Sequence, residues 1–121
     1  MILEHALLPV KPGEEERFVA AFDEAKQIIS AMPGFVSLTL SRCQERPSTF
    51  LLLVEWETVE DHTVGFRGSA EYQEWRRLLH DFYEPFPVVE HFDELFSIYL
   101  RPVVEVRGAP APSLETRESQ E

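Results

Sequence analysis

Apolar positions along this chain change period several times, and each change marks an element. Residues 2–10 are short and apolar, with Pro9 near the end, and predict a strand. Lys11-Pro12-Gly13 is a turn. From about Glu14 to Met32, Phe18, Phe22, Ala25 and Ile29 recur at helical spacing and form one apolar stripe. Glu14, Glu15 and Glu16 fall in the first turn, where the helix dipole favours acids. Pro33-Gly34 stops the helix. Phe35–Cys43 then alternates, with Val36, Leu38 and Leu40 on one side and Ser37, Thr39, Ser41 and Cys43 on the other. Gln44–Thr49 is a loop around Pro47.

Phe50–Trp56 is apolar at almost every position, the pattern of a strand buried on both faces. Thr58 with Asp61 is a capping-box variant that opens a short helix, and Gly65 and Gly68 flank its end. Ser69 caps a further helix, in which Tyr72, Trp75, Leu79 and Phe82 share the buried face. Pro85 and Pro87 end it. Val88–Phe92 is a last strand rich in β-formers. Phe96–Val106 alternates weakly around Pro102 and reads as an extra edge strand or an arm laid on a partner chain. Residues 108–121, with Pro110 and Pro112, read as a flexible acidic tail. The expected organisation is one domain over residues 1–95, the edge strand or arm over 96–107, and the tail over 108–121.

The order β-α-β-β-α(α)-β is the split βαβ, ferredoxin-like α+β unit, a four-stranded antiparallel sheet with helices on one face. Phe50, Leu52, Val54 and Trp56 alternate with Leu51 and Leu53, and helices can cover only one of the two sets. An apolar sheet face of a few hundred Å² is rarely left wet. A two-fold homodimer packing sheet face on sheet face follows as the simplest cover.

Composition narrows the classes of partner. A net charge of −11 over 121 residues argues against the phosphate contacts that clustered Lys and Arg make, so no nucleic acid is expected, and it disfavours anionic membranes. Cys43 is the single cysteine, so no internal disulfide forms. No leader-like segment opens the sequence and no apolar run approaches the ~20 residues of a membrane span, which points to the cytoplasm. No glycine-rich phosphate loop follows a strand, so flavin or nicotinamide has no support, and no cofactor is expected.

Several residues carry a resemblance. They are Val10-Lys11-Pro12-Gly13 after the first strand, Phe18 and Phe22, and Pro33-Gly34-Phe35 before the second. Val54-Glu55-Trp56-Glu57-Thr58 closes the third strand, Phe66 and Ser69 flank the helix break, and Pro87 precedes Val89-Glu90-His91-Phe92. Over residues 1–95 the chain resembles the antibiotic biosynthesis monooxygenase (ABM) domain family of dimeric α/β barrels. The resemblance implies a homodimer with a cavity between each sheet and its helices. It also implies, by analogy with characterised members, cofactor-independent oxygenation of quinols and polycyclic phenols. Many family members carry a histidine near the position of Phe66; here His62 lies one turn earlier. Haem-degrading relatives use an Asn, a Trp and a His where this chain has Ala6, Phe66 and Trp75, so haem chemistry is not expected.

His62 is the sharpest candidate for catalysis, because a histidine is the natural proton acceptor near neutral pH. The bland alternative is a surface histidine beside Asp61. His91, between Glu90 and Phe92, is either a second base or an interface histidine, and His5 has the same ambiguity. His80, next to Asp81, reads as a solvated helix residue. A metal held by His5, His62 and His91 is a minor alternative without spacing support. Trp56, Phe66, Tyr72 and Tyr83 would line a cavity for a small aromatic ligand, and Arg67 would hold an acidic group or pair with Glu71. Trp75 and Phe82 read as core. The alternative to an enzyme is a non-catalytic dimer that binds a small hydrophobic ligand.

Overall fold

The computed structural model describes residues 1–100. Its elements are β1 (Ile2–Pro9), α1 (Glu15–Ile29), β2 (Phe35–Arg42), β3 (Thr49–Trp56), a π-helical turn (Asp61–Phe66), α2 (Ala70–Leu79), a 3-10 turn (His80–Phe82) and β4 (Val89–Asp93). The sheet order is β2-β3-β1-β4, antiparallel throughout. This is the ferredoxin-like order expected from the element sequence. None of the described helices is long and apolar enough to cross a membrane.

The core lies between the sheet and the two helices. Phe18, Phe22, Ala25 and Ile29 of α1 are all buried, as their spacing predicts. Phe50, Leu52, Val54 and Trp56 of β3 meet them from the sheet, together with Glu4, Ala6 and Leu8 of β1. Aromatic edges knit the layers: Phe18 lies 4.9 Å from Phe50 and Phe22 lies 5.6 Å from Trp75, centroid to centroid. Such pairs stabilise beyond their buried area. Trp75 is buried, and Phe82, half-buried, packs against the same core.

Two details depart from the sequence pattern. A bulge between Phe35 and Ser37 shifts the phase of β2. Phe35 rather than Val36 therefore joins Leu38 and Leu40 against the core, and Val36 is exposed. A bulge inserts one residue and so inverts the facing of those before it. The second departure is β3, which is not enclosed on both sides within one chain. Its burial alternates strictly, and Leu51, Leu53 and Glu55 stay half-buried on the outer face.

Beyond β4, residues 94–100 form no strand, and Leu95, Phe96, Ile98 and Leu100 are exposed. The rest of the expected edge strand or arm, and the tail over 108–121, lie outside the described residues.

Candidate functional site: a buried acid and two histidines beside a cavity

The segment joining β3 to α2 builds one wall of the site. Thr58 Oγ1 and its backbone N–H both donate to Asp61 Oδ2, and the Asp61 N–H donates back to Thr58 Oγ1. This is a reciprocal capping box one turn after the strand. Gly34, at φ +83°, tucks beneath the Asp61 side chain, where a Cβ would overlap it. The Glu57 N–H donates to the Gly34 carbonyl at 2.8 Å and ties the two turns together. The turn then widens, with the Arg67 N–H bonding the His62 carbonyl at 3.1 Å. The wide turn keeps His62 and Phe66 together on the inner side, both buried. Single π-helical turns are frequent at functional sites. Ser69 then accepts from the Tyr72 N–H and starts α2.

His62 stacks on Trp56, with ring centroids 5.5 Å apart and planes 17° from parallel. Its Nδ1 lies 2.8 Å from His91 Nε2. Its Nε2 faces Glu4 Oε1 at 3.4 Å, at the edge of hydrogen-bond reach. The same Glu4 oxygen accepts from Trp56 Nε1 at 2.9 Å. Glu4 and His91 are direct cross-strand partners on β1 and β4, which places both on the helix-facing side. Glu4 and His62 are the two buried polar residues of the described chain.

Burial sets the electrostatics of this trio. It raises the Glu4 carboxyl above its ordinary value, partly offset by the Trp56 hydrogen bond and the charge of Arg67. It pushes His62 down to about 3, helped by Arg67 and then His91. Both shifts favour the uncharged form, because a low-dielectric surrounding disfavours charge. His62 is thus a neutral imidazole at ordinary pH, so it and Glu4 do not form an ion pair. His91, half-exposed on the edge strand, is also lowered, first by burial and then by Arg67.

The cavity next to this trio has a volume of about 400 Å³, within the range of small-molecule sites. Its walls include Glu4, His62, Phe66, Arg67, Tyr72 and Tyr83. Burial raises the Tyr83 hydroxyl, so it stays protonated. Arg67 makes no salt bridge among the described residues, and Glu71 does not engage it.

The geometry sorts the residues singled out from sequence. His62, Phe66, Arg67, Tyr72 and Tyr83 line the cavity. Trp56 and His91 stand behind that wall, one stacked on His62 and the other bonded to it. His5 faces the opposite side of the sheet, against Phe92 at 5.5 Å, so His5, His62 and His91 are not assembled for a metal. No cluster of three metal-ligating side chains occurs among the described residues.

His80 is a correction. It is half-buried, lines the cavity and packs edge-on against Phe86 at 4.8 Å. The α-helix ends at Leu79, and the tighter 3-10 turn that follows turns His80 inward. Glu4 was missed altogether. The available signal was its parity: in Ile2–Pro9 it is in phase with Ala6 and Leu8, the buried set.

Comparison with known proteins agrees with this architecture. The model of the antibiotic biosynthesis monooxygenase family matches residues 1–78. The uncharacterized protein YczJ of Bacillus subtilis (strain 168) is 57% identical over 95 residues, 78% of this chain and 100% of its own length. A crystal structure from Bordetella bronchiseptica, designated an antibiotic biosynthesis monooxygenase, is 37% identical. It superposes with a TM-score of 0.75 over 78% of this chain and 97% of that one. The monooxygenase ActVA-Orf6 of Streptomyces coelicolor, solved with the ligand Nanaomycin D, shares the fold. There the TM-score is 0.71 at 19% identity, over 83% of this chain and 92% of that one. The chain belongs to the antibiotic biosynthesis monooxygenase family.

Proposed function

We propose that this protein is a cofactor-independent monooxygenase that oxidises a small phenolic or quinol-like aromatic compound, working as a homodimer. The observation that carries the reading is the buried Glu4 and the neutral His62 set side by side in the wall of an otherwise largely aromatic and aliphatic cavity. A flat ring would lie against Phe66, Tyr72 and Trp75. Its hydroxyl would face Glu4, and its developing anion would be drawn toward Arg67.

The chemistry asks little of the protein. Removal of the phenol proton gives an electron-rich anion. Its ring carbon opposite the oxygen adds dioxygen, and the peroxide formed takes up a proton. Loss of water then leaves a quinone. One oxygen atom stays on the ring, the other leaves as water, and all four electrons come from the substrate. Atoms and electrons balance without an outside reductant. A positioned acid–base group contributes about 10²- to 10⁴-fold to such proton transfers.

A passive hydrophobic-ligand dimer would be favoured by a purely apolar cavity with every histidine exposed. The buried His62 and the cavity-facing Glu4 favour the enzyme. The dimer is supported by the outer sheet face, where Leu3, Leu7, Leu51, Leu53 and Phe92 stand together, with Leu7 46% and Phe92 48% exposed. His5 Nδ1, on that face, is the one buried side-chain nitrogen or oxygen without a partner among the described residues.

Oxygen uptake with a panel of quinols and polycyclic phenols, against a no-protein control for autoxidation, tests the reading. Uptake above background that disappears in Glu4→Gln and His62→Ala is the expected result. No uptake with any compound would leave the ligand-binding dimer as the better account.

A further inference from the structure

We propose that Glu4, His62 and His91 form a proton conduit from the cavity wall to the exposed edge of the sheet, with His91 as its outlet. The substrate end of the conduit rests on the phenol reading above; the conduit itself rests on geometry. The three groups stand in line at 3.4 and 2.8 Å. Glu4 and His62 are buried, at 5% and 3% exposure, whereas His91 is half-exposed on the edge strand β4. The line therefore runs from a closed interior to water.

Its direction follows from where charge can rest. Burial disfavours charge on all three groups, and on His91 less than on His62, because water reaches the edge strand. An extra proton therefore rests at His91 rather than on Glu4 or His62. The conduit requires a resting arrangement in which Glu4 carries its proton toward His62 Nε2 and His62 Nδ1–H donates to His91 Nε2. The Glu4 oxygen still accepts from Trp56, since a hydroxyl keeps its lone pairs.

When the substrate hydroxyl gives its proton to the other Glu4 oxygen, two shifts follow. Glu4 O–H passes to His62 Nε2, His62 Nδ1–H passes to His91 Nε2, and His91 becomes the cation. Glu4 and His62 are neutral before and after. The charges appear only on the substrate, near Arg67, and on His91. Substrate binding must draw Glu4 and His62 together for transfer, as catalytic hydrogen bonds are often long before the ligand arrives.

The groups acting on the line are few. Glu4 comes from β1, Arg67 from the end of the π-helical turn and His91 from β4, while Trp56 contributes a neutral donor. His62 and His91 are positioning and relay residues here, and Glu4 alone of the three meets the substrate oxygen.

The first test is nitrogen-15 NMR of the histidine rings in the ligand-free protein from pH 8 to 4. It is independent of any activity. The expected result is a neutral His62 protonated on Nδ1 throughout, with His91 taking up its proton at higher pH than His62. A charged His62 at neutral pH, or a His62 protonated on Nε2 and donating to an ionised Glu4, would overturn the proposal.

The second test is His91→Gln, checked for fold and dimer. It should lower kcat roughly 10-fold or more with little change in KM, and added imidazole should restore part of the loss. Unchanged kcat and an unchanged pH profile would overturn it. Should that variant not fold, the ring spectra of the wild-type protein decide. Absence of oxygen uptake by the wild-type protein would sink the phenol reading while leaving the NMR result decisive for the conduit.

Discussion

Trp56 Nε1 donates to Glu4 Oε1 at 2.9 Å, joining two diagonal neighbours on the helix-facing side of β3 and β1. The bond gives a buried acid a donor and a buried indole an acceptor. It also aims the carboxyl at His62, whose ring stacks on the same Trp56. One tryptophan thus orients both members of the pair.

Trp56→Phe keeps a ring beneath His62 and removes the donor. Leaving a buried polar group unpaired costs about 1–3 kcal/mol. Denaturant unfolding should show a loss of that size, and Glu4 should rise further, since the Trp56 bond lowers it. Equal stability of the two proteins would mean that the bond contributes nothing net.

Acid should act through His62. Its folded value lies at about 3, well under the ordinary 6.5. The stability it contributes is present above 6.5 and is lost as pH falls toward 3. At roughly 1.4 kcal/mol per unit, that amounts to a few kcal/mol. Glu4 runs the other way: its raised value favours the fold below 4.5, and that advantage is lost as pH rises through the folded value. His62→Gln should therefore flatten the loss of stability between pH 6.5 and 4. A variant as acid-sensitive as wild type would assign the sensitivity to other groups.

Gly34→Ala should disturb the site from a distance. The residue has φ +83°, and a Cβ there would overlap the Asp61 side chain. Strain at such a backbone position is on the order of 1–3 kcal/mol, before the capping box is displaced. Thermal unfolding should fall by several degrees, and the His62 ring signals should shift. A stable variant with unmoved His62 signals would show that the Gly34–Asp61 contact does not hold the turn.

Leu52 and Leu53 separate the two faces of β3. Leu52→Asp buries a charge against the helices and should unfold the domain. Leu53→Asp lies on the outer face and should leave a folded monomer. Sedimentation with circular dichroism distinguishes these outcomes. A wild-type monomer, or a dimer untouched by Leu53→Asp, would sink the sheet-to-sheet assembly.

The order of elements, the stripe Phe18–Phe22–Ala25–Ile29 and the caps at Thr58–Asp61 and Ser69 are legible in the residues alone. These are local properties, set by helical period, by turn residues and by side chains reaching the nearest free N–H. The sequence also marks the aromatic and basic side chains that line the cavity, because Phe66, Arg67 and Tyr72 sit close along one short segment.

The chemistry of the centre arises from long-range packing. Glu4, Trp56, His62 and His91 come from three strands and a turn, and sequence spacing carries no information about such a meeting. The register Glu4↔His91 and the wide turn bring them together. The bulge at Phe35 and the 3-10 turn at His80 each shifted one side chain across a face that simple alternation or helical period assigns wrongly. The raised Glu4 and the lowered His62 both follow first from burial, a property of the packed interior and of no residue alone.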